Sequence, residues 1–112
     1  MAVTGVEMSV LLPLQEDRES GVEAVRNWTR SQTLSRDRYE LVAIAPGLDA
    51  DLEERARPLL GSQDRWIAHP SENEYELFNL GAREARGRFL FFTEAHCVPE
   101  PDCLEAMVTH LE

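Results

Sequence analysis

Four short apolar runs divide the chain, and each is followed by a stretch with helical spacing. The first, Val6 to Leu14 (VEMSVLLPL), closes on Pro13. Val10, Leu11 and Leu12 are consecutive, which predicts a strand buried on both faces, as in a parallel sheet. Ser20 and Glu23 have the S-x-x-E spacing of a capping box and predict a helix to about Ser31, with Val22, Val25 and Trp28 inward. A second strand, Tyr39 to Ala45 (YELVAIA), stops at Pro46-Gly47. Asp49 or Asp51 then caps a helix with Leu52, Ala56 and Leu59 on one face, ended by Gly61.

The third unit pairs a short strand, Arg65 to Ala68, with a helix capped by Ser71 and Glu74. That helix is expected to reach about Arg86, with Tyr75, Phe78, Ala82 and Ala85 as its apolar stripe, and Gly87 closes it. The fourth strand is Phe89 to Phe92 (FLFF). Pro99 and Pro101 precede a last helix in which Leu104, Met107, Val108 and Leu111 are expected to be buried. Four β–α units with short links predict an α/β fold. The sheet should be open and mainly parallel, with about four strands and helices on both faces.

The 112 residues fit one domain, 1–112, and 43% apolar with 29% charged residues is ordinary globular composition. The formal net charge of −10 argues against a nucleic-acid partner, which needs a basic surface. It also means that an anionic ligand needs a metal ion or a helix N-terminus to hold it. Cys97 and Cys103 are too few for a disulfide scaffold. No signal peptide or membrane-spanning run is evident, so the expected compartment is cytoplasmic, with no direct membrane segment.

In open parallel sheets, ligands bind beyond the carboxyl ends of the strands. Here those ends carry Pro13-Leu14-Gln15-Glu16-Asp17, Ala45-Pro46-Gly47-Leu48-Asp49, His69-Pro70 and Thr93-Glu94-Ala95-His96-Cys97. Glu94 and His96 are one residue apart, and in extended backbone i and i+2 point to the same side. A carboxylate and an imidazole facing one ion suit Mg²⁺ or Mn²⁺, the imidazole shifting preference toward Mn²⁺. The plain alternative is two solvated residues at a strand end. Cys97 and Cys103 match no usual structural-zinc spacing. The glycine signatures of dinucleotide-binding and P-loop domains are absent, as are C-x-x-C and G-x-S-x-G.

The run from Leu77 to His96 (LFNLGAREARGRFLFFTEAH) resembles the centre of the family 2 glycosyltransferases of the GT-A fold. That family shows A-R-N-x-G, then A-x-G, an apolar strand and D-x-D. Met8 to Pro13 is similar to its first strand, and Trp28, Gln32 and Thr33 stand where S-x-x-x-Q-T is often found. The resemblance implies the donor-binding part of an enzyme that transfers sugar from a nucleoside diphosphate sugar. It implies nucleotide-sugar contacts at Pro13, Leu14, Gln15, Ala45, Asn79 and Glu94, and a divalent ion, Mn²⁺ or Mg²⁺, on Glu94 and His96. Asn79, if buried in its helix, would serve a nearby backbone group.

Three positions depart from the family pattern. Ala45-Pro46-Gly47 replaces the acids that end the second strand, Phe78 replaces the Arg of A-R-N, and E-x-H replaces D-x-D. Two readings therefore stay open: a variant donor site, or a non-catalytic GT-A-like interaction module. The chain stops one helix after Glu94-Ala95-His96. The acceptor site and catalytic base are accordingly expected elsewhere in a longer protein, and homodimerisation through an exposed sheet edge is expected of this part alone.

Overall fold

A computed structural model describes residues 6–15, 17–47, 49–71 and 73–111. Its strands are β1 (Met8–Pro13), β2 (Tyr39–Ala45), β3 (Arg65–Ala68) and β4 (Phe89–Phe92). Its α-helices are α1 (Arg18–Arg30), α2 (Ala50–Ala56), α3 (Glu74–Glu84) and α4 (Cys103–Leu111). All strand pairs are parallel and the sheet order is β3-β2-β1-β4. The expected α/β fold is the observed one.

Every residue of β1 and β2 is buried, because these two strands lie inside the sheet with helices on both faces. Alternate side chains divide into two cores. Met8, Val10, Leu12, Tyr39, Leu41 and Ala43 pack with residues of α1, α2 and α4. Leu11, Val42 and Ile44 pack with Leu77 and Phe78 of α3. Three helices thus cover one face and α3 alone covers the other. The edge strands are less covered: Leu90 and Phe92 of β4 are 42% and 49% exposed.

Several helix ends differ from the sequence expectation. The cap of α1 is Asp17, which accepts from the Ser20 backbone N–H at 2.9 Å and from its hydroxyl at 3.0 Å. Ser20 therefore sits inside the first turn as a donor. These bonds hold the Asp17 carboxyl below its ordinary pKa. Asn73, not Ser71, caps α3, accepting from the N–H groups of Tyr75 and Glu76. In both cases a nearby Asp or Asn, three residues before Ser20 and two after Ser71, takes the role, which either fills as well as Ser does. Asp49 caps α2 as expected, accepting from the Leu52 N–H at 3.0 Å.

Two expected core positions face solvent. Tyr75 is 77% exposed and Leu111 49% exposed. The inward face of α3 is Leu77 and Gly81, with Phe78, Ala82 and Ala85 beside them. It is also shorter than expected, ending at Glu84, because Ala85 is extended and the Arg86 N–H bonds to Glu40 instead of a helix carbonyl.

Candidate donor site at the switch point

Chain order and sheet order diverge at one place. The chain runs β1, β2, β3 outward in one direction and then returns to lay β4 on the other side of β1. The carboxyl ends of β1 and β4 lie side by side there, Leu11 opposite Phe92, at the topological switch point where an open parallel sheet carries its ligand crevice. Each strand end is held by one bond past the ladder. The Leu14 N–H donates to Ile44 O at 2.8 Å, the His69 N–H to Ala45 O at 2.9 Å, and the Thr93 N–H to Leu11 O at 3.1 Å.

Glu94 and His96 lie directly beyond β4, both exposed, with His96 Nε2 3.3 Å from Glu94 Oε1. Extended backbone is not what brings them together, as the spacing suggested. The strand ends at Phe92, and the Cys97 N–H donates to Glu94 O at 3.1 Å, closing a turn around buried Ala95. Ala95 anchors the turn in the core and leaves its two polar neighbours outside. Among the described residues no group of three or more His, Cys, Asp or Glu is placed to hold a metal ion. The donors at this turn are one carboxylate and one imidazole, a set that fits a Mn²⁺ or Mg²⁺ ion completed by ligand oxygens and water.

The other predicted residues fall into two groups. Pro13, Leu14 and Ala45 are at the same edge but buried, with Leu14 in the core against Gly21 of α1. Gln15 is exposed beside them. Asn79 is exposed on α3, which corrects the expectation of a buried amide serving the backbone. Its neighbour Gly81 is the residue that packs beneath the sheet, where a Cβ would meet Ile44 Cδ1 at 2.8 Å.

The departures from the family pattern have local explanations. Phe78 packs on Phe92 with ring centroids 4.9 Å apart and ring planes tilted by 60°, covering part of the open β4 side chain. Acids do occur near the end of β2, but later, at Asp49 and Asp51. Arg18 Nε reaches them at 3.2 and 3.3 Å, so one cation bridges the starts of α1 and α2.

Two features were not read as part of the site from sequence. A groove of about 270 Å³ runs beside His96, lined by Glu19, Glu23, Asn27, Ala95 and Val98. Arg55 bonds Glu19 at 2.7 Å and holds its carboxyl below the ordinary range. The second feature is the grip on the segment after Glu94–His96. Gln32 donates to Glu100 O at 2.8 Å and accepts from the Leu104 N–H at 2.9 Å. The Thr33 N–H donates to Pro101 O at 2.7 Å, and its hydroxyl to Glu105 at 2.6 Å. The Q-T dipeptide thus ties the end of α1 to the start of α4, across the segment that follows Glu94–His96.

No curated protein sequence matches the chain. Solved structures that share its fold include two of one protein. S. aureus TarS 1–349 in complex with UDP superposes with a TM-score of 0.75 at 18% identity, over 95% of this chain and 32% of that one. S. aureus TarS gives 0.73 at 17% identity, over 95% and 19%. This chain spans about a third or less of those proteins. Residues 47–112, more than half of the chain and the part bearing the Glu94–His96 turn, match the model for glycosyl transferase family 2, and the chain belongs to that family.

Proposed function

We propose that the chain is the donor-binding domain of a glycosyltransferase acting on a nucleoside diphosphate sugar. The observation that carries this reading is the meeting of Glu94 and His96 at the β1–β4 switch point in a family 2 chain. Gln15 lies on the β1 side of that crevice and takes the nucleoside side of the donor, with backbone from Pro13, Leu14 and Ala45 forming its floor. Asn79 belongs to the outer wall on α3. Glu94 and His96 hold a divalent ion, Mn²⁺ or Mg²⁺. Such an ion neutralises the diphosphate and assists its departure. An acidic chain makes that neutralisation necessary, since −10 of net charge otherwise repels the donor. UDP on the TarS structure makes a uridine nucleotide the first ligand to try.

The acceptor and the catalytic base lie outside this domain on the same reading, in keeping with its one-third share of TarS 1–349. No residue here is assigned as base. The reading includes a reducing, cytoplasmic setting, in keeping with the free thiols of Cys97 and Cys103. Among the described residues no helix is long and apolar enough to cross a membrane.

Calorimetric titration with UDP, with and without Mn²⁺, tests the proposal. Binding should require or be strengthened by the metal, and Glu94→Ala with His96→Ala should abolish the metal-dependent part. No heat in either condition would favour the non-catalytic module, for which the replaced acids after β2 are the motive. The open edge of β4, with Leu90 and Phe92 exposed, is proposed to pair with a second copy of the chain. Sedimentation at high concentration should then show a dimer, and a strictly monomeric profile would remove that part of the proposal.

A further inference from the structure

A carboxylate is fully buried at the opposite, amino-terminal edge of the sheet. The Glu40 side chain is 0% exposed. It accepts from the Ser9 hydroxyl at 2.7 Å and from the Arg86 backbone N–H at 2.6 Å. It also accepts from Arg86 Nε at 3.1 Å and lies 3.0 Å from Arg86 Nη2. Ser9 Oγ in turn accepts from the Gly87 N–H at 2.8 Å. Arg86 Nη2 donates to Gln63 O at 2.6 Å. One acid therefore joins β1, β2, the approach to β3 and the turn that launches β4.

Burying a charge is costly, and well-packed apolar residues often fill such a place with equal or better stability. What the clasp supplies beyond stability is register. β4 is four residues long and pairs with β1, Met8 opposite Phe89 and Leu11 opposite Phe92. In most strands the alternation of apolar and polar residues selects the register, because a one-residue slip turns the apolar side chains to water. The sequence FLFF is apolar at all four positions, so that selection is absent. A slip would exchange Phe89 and Phe91, which pack on the α1 side, with Leu90 and Phe92. It would also carry Glu94 and His96 away from the crevice.

We infer that the Glu40–Ser9–Arg86 clasp sets the register of β4, making Glu40 a positioning residue for the Glu94–His96 turn. The functional meaning of that position rests on the donor-site proposal, but the register itself does not. Glu40→Gln and Ser9→Ala are the variants to compare. Ser9→Ala leaves Glu40 paired with Arg86 and removes the link to the Gly87 N–H, so it serves if Glu40→Gln does not fold. Nitrogen-15 NMR without nucleotide provides the readout. Amide exchange in β4 should rise at least tenfold more than in the β2–β3 pair, and the His96 ring signals should shift or double. A uniform rise across all strands, no rise at all, or unchanged His96 signals would overturn the inference. Because no nucleotide is present, failure here is distinguishable from failure to bind UDP.

Discussion

Gly87→Ala should lower the stability of the domain by about 3 kcal/mol, roughly 2 from strain and 1 from a lost hydrogen bond. A Cβ at this position would stand 2.7 Å from the Ser9 backbone nitrogen, 2.7 Å from Ser9 Oγ and 2.8 Å from the Met8 carbonyl carbon. Two of those three atoms are backbone of the buried strand β1, which cannot rotate away as a side chain can. Relief requires the turn to lift, and lifting it breaks the Gly87 N–H bond to Ser9 Oγ. Thermal unfolding should show a drop of about 10 °C or more for a chain of this size.

Gly81→Ala is the control within the same helix–strand unit. There the closest atom is Ile44 Cδ1, the far end of a flexible side chain, at 2.8 Å. Alanine also gains about 1 kcal/mol of helix propensity over glycine. Its net effect should stay within about 1 kcal/mol of zero. Equal losses at the two glycines would show that contact with the β1 backbone is not what makes Gly87 necessary.

Trp28→Ala should cost about 3–5 kcal/mol, the range for deleting a large buried aromatic. Trp28 is 1% exposed on α1 and meets Phe91 of β4 edge-on, centroids 5.6 Å apart. Its carbonyl also accepts from the buried Tyr39 hydroxyl at 2.6 Å. One side chain and its carbonyl thus join α1 to both β2 and β4. The indole Nε1 is buried with no hydrogen-bond partner among the described residues. Phenylalanine would remove that orphan donor and keep most of the ring, so Trp28→Phe should cost only about 1–2 kcal/mol. Denaturant unfolding of the two variants separates ring volume from polarity. A Phe variant as unstable as the Ala variant would mean that the indole nitrogen has a partner.

The strands were legible because their signal is local. YELVAIA and FLFF are largely apolar runs bounded by polar residues, prolines or glycines, and both became strands with the expected bounds. Helix starts were less legible because several polar residues compete for each cap, and the competition is settled by where the preceding strand delivers the chain. Tyr75 and Leu111 were misplaced for a related reason: helical spacing defines a face without saying how far a neighbour covers it. The α3 face narrows to Leu77 and Gly81, and the last turn of α4 leaves Leu111 half-exposed.

Glu40 was not legible at all. An acid at the start of a strand reads as a surface residue, and its partners lie 31 and 46 positions away. Glu94 and His96 were visible because they stand in a family motif, yet the turn that joins them was not. Its geometry depends on Ala95 entering the core, and neither periodicity nor spacing reports that.

The central claim is that a metal-bound nucleotide sits between the ends of β1 and β4. Its most direct test follows the UDP titration residue by residue in the nitrogen-15 spectrum, with Mn²⁺ as a paramagnetic probe. UDP-dependent shifts are expected at Leu14, Gln15, Ala45 and Thr93, and Mn²⁺ broadening centred on Glu94 and His96. Broadening centred on the exposed acids Asp102 and Glu105 at the start of α4, or shifts that avoid the β1–β4 crevice, would contradict it.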